Sequence, residues 1–409
     1  MIKIILILIL GSFYSTNAFS KTFLLGESSS KWGVEVSSSE KNNFSLRLGT
    51  RLQTIMNYGL QHDALSNSNF KYFDSSIRRA RFQLEANFRE GFKLYMDIRN
   101  DNINENDKGE GDFNLGDGYI EFKNLFDFKG LKLRAFRAKV HVSRTETVSS
   151  SKILILNRAY IADEAAQFIS HNRRASNIQL LGSYEKFSFQ FVIGDGINKD
   201  KFFDSKGASL SSGKIDRQSF MYGTKLRVNP FSGWINTKMT ETYLGQGRHF
   251  SFGLGYFAIP KIEYQNSSGT QIDELSRSLF NFDISFHLEN LSIQSEFFKF
   301  DGVIEDFSAN EKKIAKSDGY YIHGEYVLDN FYYLSPFFRF EYWDRLSGQD
   351  NYDLSSQVYG VNCYLKGNQI RLGLMYQVDK FGSELLTRNT RGETFDDNRQ
   401  VKITSMWHY

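Results

Sequence analysis

The side chains with chemistry to offer are guanidinium and ammonium groups spaced through otherwise oily runs. In FSLRLGTRLQTIMNY, residues 44–58, Phe44, Leu46, Leu48, Leu52, Met56 and Tyr58 take one side of an extended chain. Ser45, Arg47, Gly49, Arg51, Gln53 and Asn57 take the other. The same phase places Arg81, Arg89, Lys93, Arg99, Lys132, Arg134, Lys225, Arg227, Arg339 and Arg371 with the two arginines. Guanidinium presents paired donors that match phosphate and carboxylate, and rows of Arg or Lys around a water-filled passage favour anions. Glu85, Asp97, Glu121, Asp283, Glu296, Glu325 and Glu341 fall on that face too. The alternative is therefore a set of cross-strand pairs that neutralise one another and brace a wall.

Covalent chemistry has less to work with. The 7 histidines (His62, His141, His171, His249, His287, His323 and His408) are scattered, with no G-x-S-x-G and no metal-ligand spacing. No catalytic residue, metal ligand or cofactor is assigned. The single Cys363 excludes an intramolecular disulfide framework, and a formal charge of +3 is too small to argue for nucleic acid.

Oil on one face and arginine on the other suits a strand between lipid and water. A mean hydropathy of −0.42 with 24% charged residues looks soluble, but a transmembrane barrel alternates its faces and averages to such values. Aromatics at 16%, with 38 Phe and 22 Tyr, favour strands, and 3 Pro spare the backbone donors that ladders need. At the amino terminus, Lys3, the apolar run Ile4–Leu10 and small residues to Ala18 read as an export signal over residues 1–20. The run is too short to span a bilayer.

Residues 21–43 read as a leader, with a short strand around Trp32–Val36, and residues 44–409 as an all-β transmembrane antiparallel barrel. Hairpins recur along it: ARFQLEANF with FKLYMDI, GYIEFKN with LKLRAF, NIQLLGSYE with FSFQFVIG, and so on to QVKITSMWHY, about sixteen strands in all. Short turns (89–91, 185–187, 288–291, 329–333, 366–368) alternate with long polar links (59–75, 100–116, 195–217, 301–318, 379–397), as in outer-membrane barrels. Ile403, Trp407 and the terminal Tyr409 share a face. Residues 137–176 break the rhythm, and AYIADEAAQF within them has helix-forming character. Folded inward as a constriction loop, this segment offers Lys139, Arg144, Arg158, Arg173 and Arg174, with Lys152, to the pore; folded outward, it is a solvated basic loop.

The chain resembles the phosphate-selective porin O/P family from about residue 44 onward. The resemblance rests on IRRARFQLEANF, GYIEF, the series Glu146, Ser149–Ser151, Arg158, Arg174 after LRAFRAKV, PFFRFEYW, and VYGVNCYLKGNQIRLGLMYQ with the aromatic terminus. It implies a sixteen-stranded, homotrimeric porin in the outer membrane of a Gram-negative bacterium, often anion-selective. Its partners would be membrane lipid and small anions or other small hydrophilic solutes. By position, Arg158 and Arg174 match the arginines of the family's constriction. Phe136 and Val140 stand where the family usually has glycine and proline, and Ser176–Asn177 where a glycine is common. The pore-lining candidates are thus Arg47, Arg51, Arg81, Lys139, Arg144, Arg158, Arg173 and Arg174. The competing reading is a plugged structural or adhesive barrel without transport.

Overall fold

The computed structural model describes residues 34–37, 44–63, 67–88, 91–103, 112–197, 213–230, 240–266, 271–307, 312–328, 333–382, 387–388 and 394–409. The strands are β1 (Val34–Ser37), β2 (Ser45–Asp63), β3 (Ser68–Asn87), β4 (Phe92–Ile103), β5 (Asn114–Lys123), β6 (Lys132–Arg137) and β7 (Ser176–Tyr184). There follow β8 (Phe187–Gly194), β9 (Gly213–Gln218), β10 (Met221–Val228), β11 (Arg248–Asn266), β12 (Gln271–Leu288) and β13 (Leu291–Phe307). The rest are β14 (Lys312–Tyr326), β15 (Leu334–Asp344), β16 (Asp353–Asn368), β17 (Ile370–Phe381), β18 (Thr387–Arg388) and β19 (Thr394–His408). Two α-helices, α1 (Arg144–Thr147) and α2 (Tyr160–Ile169), and a 3-10 turn over His171–Arg173 lie between β6 and β7.

Every pairing is antiparallel, and β19 closes the ring against β2 with Ile403 opposite Met56. β9 and β10 are two pieces of one strand against β11, while β1 and β18 are short additions, so the wall has sixteen strands. Closure removes the sheet edges that lipid could not satisfy.

Alternation sorts the wall as the sequence requires. Leu48, Leu52, Met56, Tyr58, Val401 and Trp407 are exposed on the outer face, and Arg51, Gln53, Gln400 and Lys402 are buried inside. At the short-turn end Phe44, Phe88, Phe92 and Phe122 form a chain of rings with centroids 5.2, 5.3 and 5.4 Å apart. Such girdles sit where a bilayer meets water.

One expectation changes. The polar runs 59–75 and 301–318 are mostly strand: β2 and β3 pair out to Asp63 and Ser68, and β13 and β14 out to Phe307 and Lys312. Ladders are made by the backbone, so polar side chains mark where lipid ends and not where pairing ends. Arg89 and the proposed export signal lie outside the described residues, whereas the short strand of the leader forms as β1, with Val34 opposite Leu48. Finally, β3 carries a bulge: Gln53 pairs with Arg79 and Thr54 with Ile77, leaving Arg78 as the extra residue. A bulge re-aims side chains, and here it brings Arg78 to the lumen beside Arg79.

Phe136, where the resembling family has glycine, takes φ +83° within β6. That is the left-handed region that costs an L residue about 1–2 kcal/mol.

Candidate functional site

The segment between β6 and β7 folds into the barrel. In α2 the residues Ala162, Ala165, Ala166 and Ile169 recur at helical spacing and are buried, so the helix presents one apolar stripe. It packs on inward-facing Phe257, Leu279, Phe298, Phe300 and Trp343, making a hydrophobic core inside the lumen. The helix has no side-chain cap of its own; instead Ile161 N–H donates to Glu341 Oε1 at 2.7 Å. At the other end Arg277 Nη1 donates to the Phe168 carbonyl at 3.2 Å. In α1, Glu296 accepts from Arg144 N–H (2.8 Å) and Thr145 N–H (3.0 Å). Carboxylates from the wall thus satisfy the helix donors that the segment leaves open.

Between the helices, residues 150–157 cross the barrel as a strap held by its backbone. Arg371 Nη1 donates to Ile153 O at 2.5 Å, Asn362 to Leu154 O at 3.0 Å, Arg79 Nη1 to Leu156 O at 3.2 Å and Arg339 Nη1 to Asn157 O at 2.7 Å. Arg51 reaches Ser150 Oγ at 2.6 Å. A second insertion enters from the short-turn end, where Thr240, Glu241, Thr242, Tyr243 and Leu244 are buried. Leu154 N–H donates to Glu241 Oε2 at 2.7 Å, Thr145 Oγ donates to the other carboxylate oxygen, and Glu241 N–H donates to Lys152 O at 3.1 Å. Tyr243 stacks on both His249 and His287, with centroids 4.3 and 4.4 Å away and the two imidazoles 5.6 Å apart. Burial pushes the Glu241 carboxyl up to about 7.

The eight candidate residues divide by partner. Arg47 pairs with Glu85 at 3.3 Å and Arg81 with Asp101 at 2.7 Å. Arg174 pairs with Asp117 at 2.8 Å, which also faces Arg99 at 3.4 Å. Gly116 lets Arg99 and Asp97 lie close over the backbone there, since a Cβ would fall 1.9 Å from Arg99 Nε and would push those side chains aside. Arg144 faces Asp283 at 3.5 Å, a carboxylate shared with Lys225 at 2.6 Å and Arg227 at 3.7 Å. Lys139, Arg158 and Arg173 converge on buried Glu146 at 3.8, 3.0 and 3.7 Å. Burial opposes the charge on Glu146, yet Arg158, then Arg173 and Lys139, hold its carboxyl well below the usual range. Burial, with Arg158 and Arg174 nearby, drives the Lys139 ammonium well below its usual value. Much of the expected basic row is therefore a bracing network.

A polar cavity of about 300 Å³ remains between the strap, α2 and the wall of β2, β3, β15, β17 and β19. Of the eight candidates, Arg158 lines it. Arg78, Arg79, Arg339 and Lys402 line it as well, opposed by Asp74 and Asp163. Arg79 Nε and Arg339 Nε are buried without a hydrogen-bond partner. Sequence reasoning placed Arg339 on the inner face but missed Arg78, Arg79 and Lys402. Arg79 shares the phase of Arg81 and Lys402 that of Thr404, so alternation could have found both; Arg78 needed the bulge.

No family model matches the chain. A protein of Aquifex aeolicus (strain VF5), described only as uncharacterized, is 24% identical over 370 residues, covering 83% of each chain. Among solved structures, the anion-selective porin from Comamonas acidovorans superposes with a TM-score of 0.60 at 13% identity, over 90% of this chain and 100% of that one. The outer membrane channel DcaP of Acinetobacter baumannii gives 0.58 at 11% identity, over 93% and 100%. Salmonella typhi OmpF, in complex with daunomycin, gives 0.55 at 11%, over 91% and 100%. The likeness is one of fold: the closed barrel of the outer-membrane porins.

Proposed function

We propose that the protein is an outer-membrane porin, exported to the outer membrane of a Gram-negative bacterium, through which small hydrophilic solutes diffuse with anions favoured. The observation that carries this is the cavity beside the strap, whose lining includes the cations Arg78, Arg79, Arg158, Arg339 and Lys402 and the carboxylates Asp74 and Asp163, with Arg158 also paired to Glu146 behind it. An excess of fixed cations in a narrow, partly dewatered passage offsets the hydration an anion loses and repels cations. The outward apolar face and the phenylalanine girdle support insertion in a bilayer. The solved porins of the same fold, the anion-selective porin from Comamonas acidovorans among them, support the reading at the level of architecture. Phosphate is one anion this lining suits, and the homotrimer implied by the family resemblance is part of the same proposal.

The second reading, a plugged barrel, is favoured by the apolar core and the strap, which fill much of the lumen. Bilayer recording of the refolded protein under a chloride gradient decides between them. An anion-selective current that falls in Arg158→Ala supports the proposal. An unselective or cation-selective current overturns the anion preference, and silence in the bilayer supports the plug.

A further inference from the structure

Resting on that reading, we infer that the preferred solute is an organic anion that also carries hydroxyl groups, of the sugar-acid kind, and not a bare inorganic or aliphatic anion. The cavity has two chemically different sides. Arginines from the bulge of β3, from β15 and from the strap make one. The other is a patch of amides on β2, β17 and β19: Asn57, Gln61, Gln377, Asn398 and Gln400, beside Lys402. These amides sit in register, Gln61 opposite Asn398 and Gln377 opposite Gln400, so their side chains form a continuous polar surface.

Amides and phenols add nothing to a charge filter, because each carries no net charge. They are instead groups that both donate to and accept from hydroxyls. Asn57 Nδ2 donates to Gln400 Oε1 at 2.8 Å, and Tyr72 OH donates to Asn398 Oδ1 at 3.3 Å. Asn57 Oδ1 stays buried without a partner, an acceptor facing no protein donor. On the opposite side the partnerless Nε groups of Arg79 and Arg339 are donors in the same position. Both arginines are more than nine-tenths buried. A lining with guanidinium groups on one side and amides on the other matches a ligand with a carboxylate or phosphate at one end and hydroxyls along its body. A volume of about 300 Å³ is also more than a lone phosphate needs and falls at the small end of organic-ligand pockets.

The test is solute-induced interruption of the chloride current in planar bilayers, with sodium gluconate, sodium propionate, sodium phosphate and neutral glucose as probes. Gluconate should interrupt the current at about ten-fold lower concentration than propionate or phosphate, the yield of one or two added hydrogen bonds. Gln400→Ala and Gln61→Ala should each shrink the gluconate-to-propionate ratio, and Arg79→Gln should weaken both anions together. Equal potency of gluconate, propionate and phosphate overturns the hydroxylated-anion assignment while leaving the anion channel intact. Glucose as potent as gluconate overturns it in favour of a neutral sugar site. A current without anion preference removes the reading on which it rests.

Discussion

The two halves of the lumen are built on opposite physics. Toward β11–β15, α2 and the wall share a dry core in which Phe257, Leu279 and Phe298 are fully buried. Toward β2, β3, β17 and β19 the facing surfaces are amide, hydroxyl and guanidinium, and a cavity stays open. The difference teaches how a barrel can carry a passage narrower than its ring of strands: one side is closed by apolar burial, and the other is kept wet by groups that a core could not absorb.

Removing packing from the closed half should produce the largest effect. Phe298→Ala should cost about 3–5 kcal/mol, read as a lower unfolding midpoint in detergent, with ion selectivity unchanged in whatever barrels fold. If selectivity shifts as much as stability, the halves are not separable. Glu146→Ala attacks the ion-pair cluster that holds the inserted segment together. It strands Lys139, Arg158 and Arg173 without their shared carboxylate, and breaking a buried pair costs about 3–5 kcal/mol. Limited proteolysis should then cut within residues 138–175, which the wild type protects.

In the open half the expected signature inverts. Arg339→Gln should lower the anion-to-cation permeability ratio by about two- to five-fold and shift the unfolding midpoint little, since Gln can still donate to the Asn157 carbonyl. A large stability loss with unchanged selectivity would make Arg339 an anchor only.

The smallest effect is a pH dependence at the Glu241 clasp. Its folded carboxyl titrates at about 7 against a free value of 4.5, so the docked state binds the proton more firmly. Docking is then strongest below about pH 4.5 and weakens as pH rises through 7. Current fluctuations should grow between pH 5 and 8, and Glu241→Gln, neutral throughout, should flatten that change.

The wall was legible in the sequence because lipid enforces alternation; Leu48 and Arg51 could hardly be read another way. The helix of AYIADEAAQF was legible too, as its alanines recur at helical spacing. The dry half was not. Phe257 and Leu279 face inward one residue away from Tyr256 and Phe280, which face out, and two oily faces carry no phase. The arginines were found, but their work was not: pairing Arg174 with Asp117, or Arg371 with a strap carbonyl, depends on contacts far apart in the chain. The insertion at Thr240–Gly247 had no periodic signal at all.

The strap also bears on how the ring closes. Arg51 and His408, neighbours across the β2–β19 seam, are 357 residues apart, a long loop to close in one step. Ser150 binds Arg51 from 99 residues away, and Ile153 binds Arg371 from 218. Contacts from the lumen insert divide that span in the native barrel into shorter loops, so the insert ties the two ends of the chain to its middle.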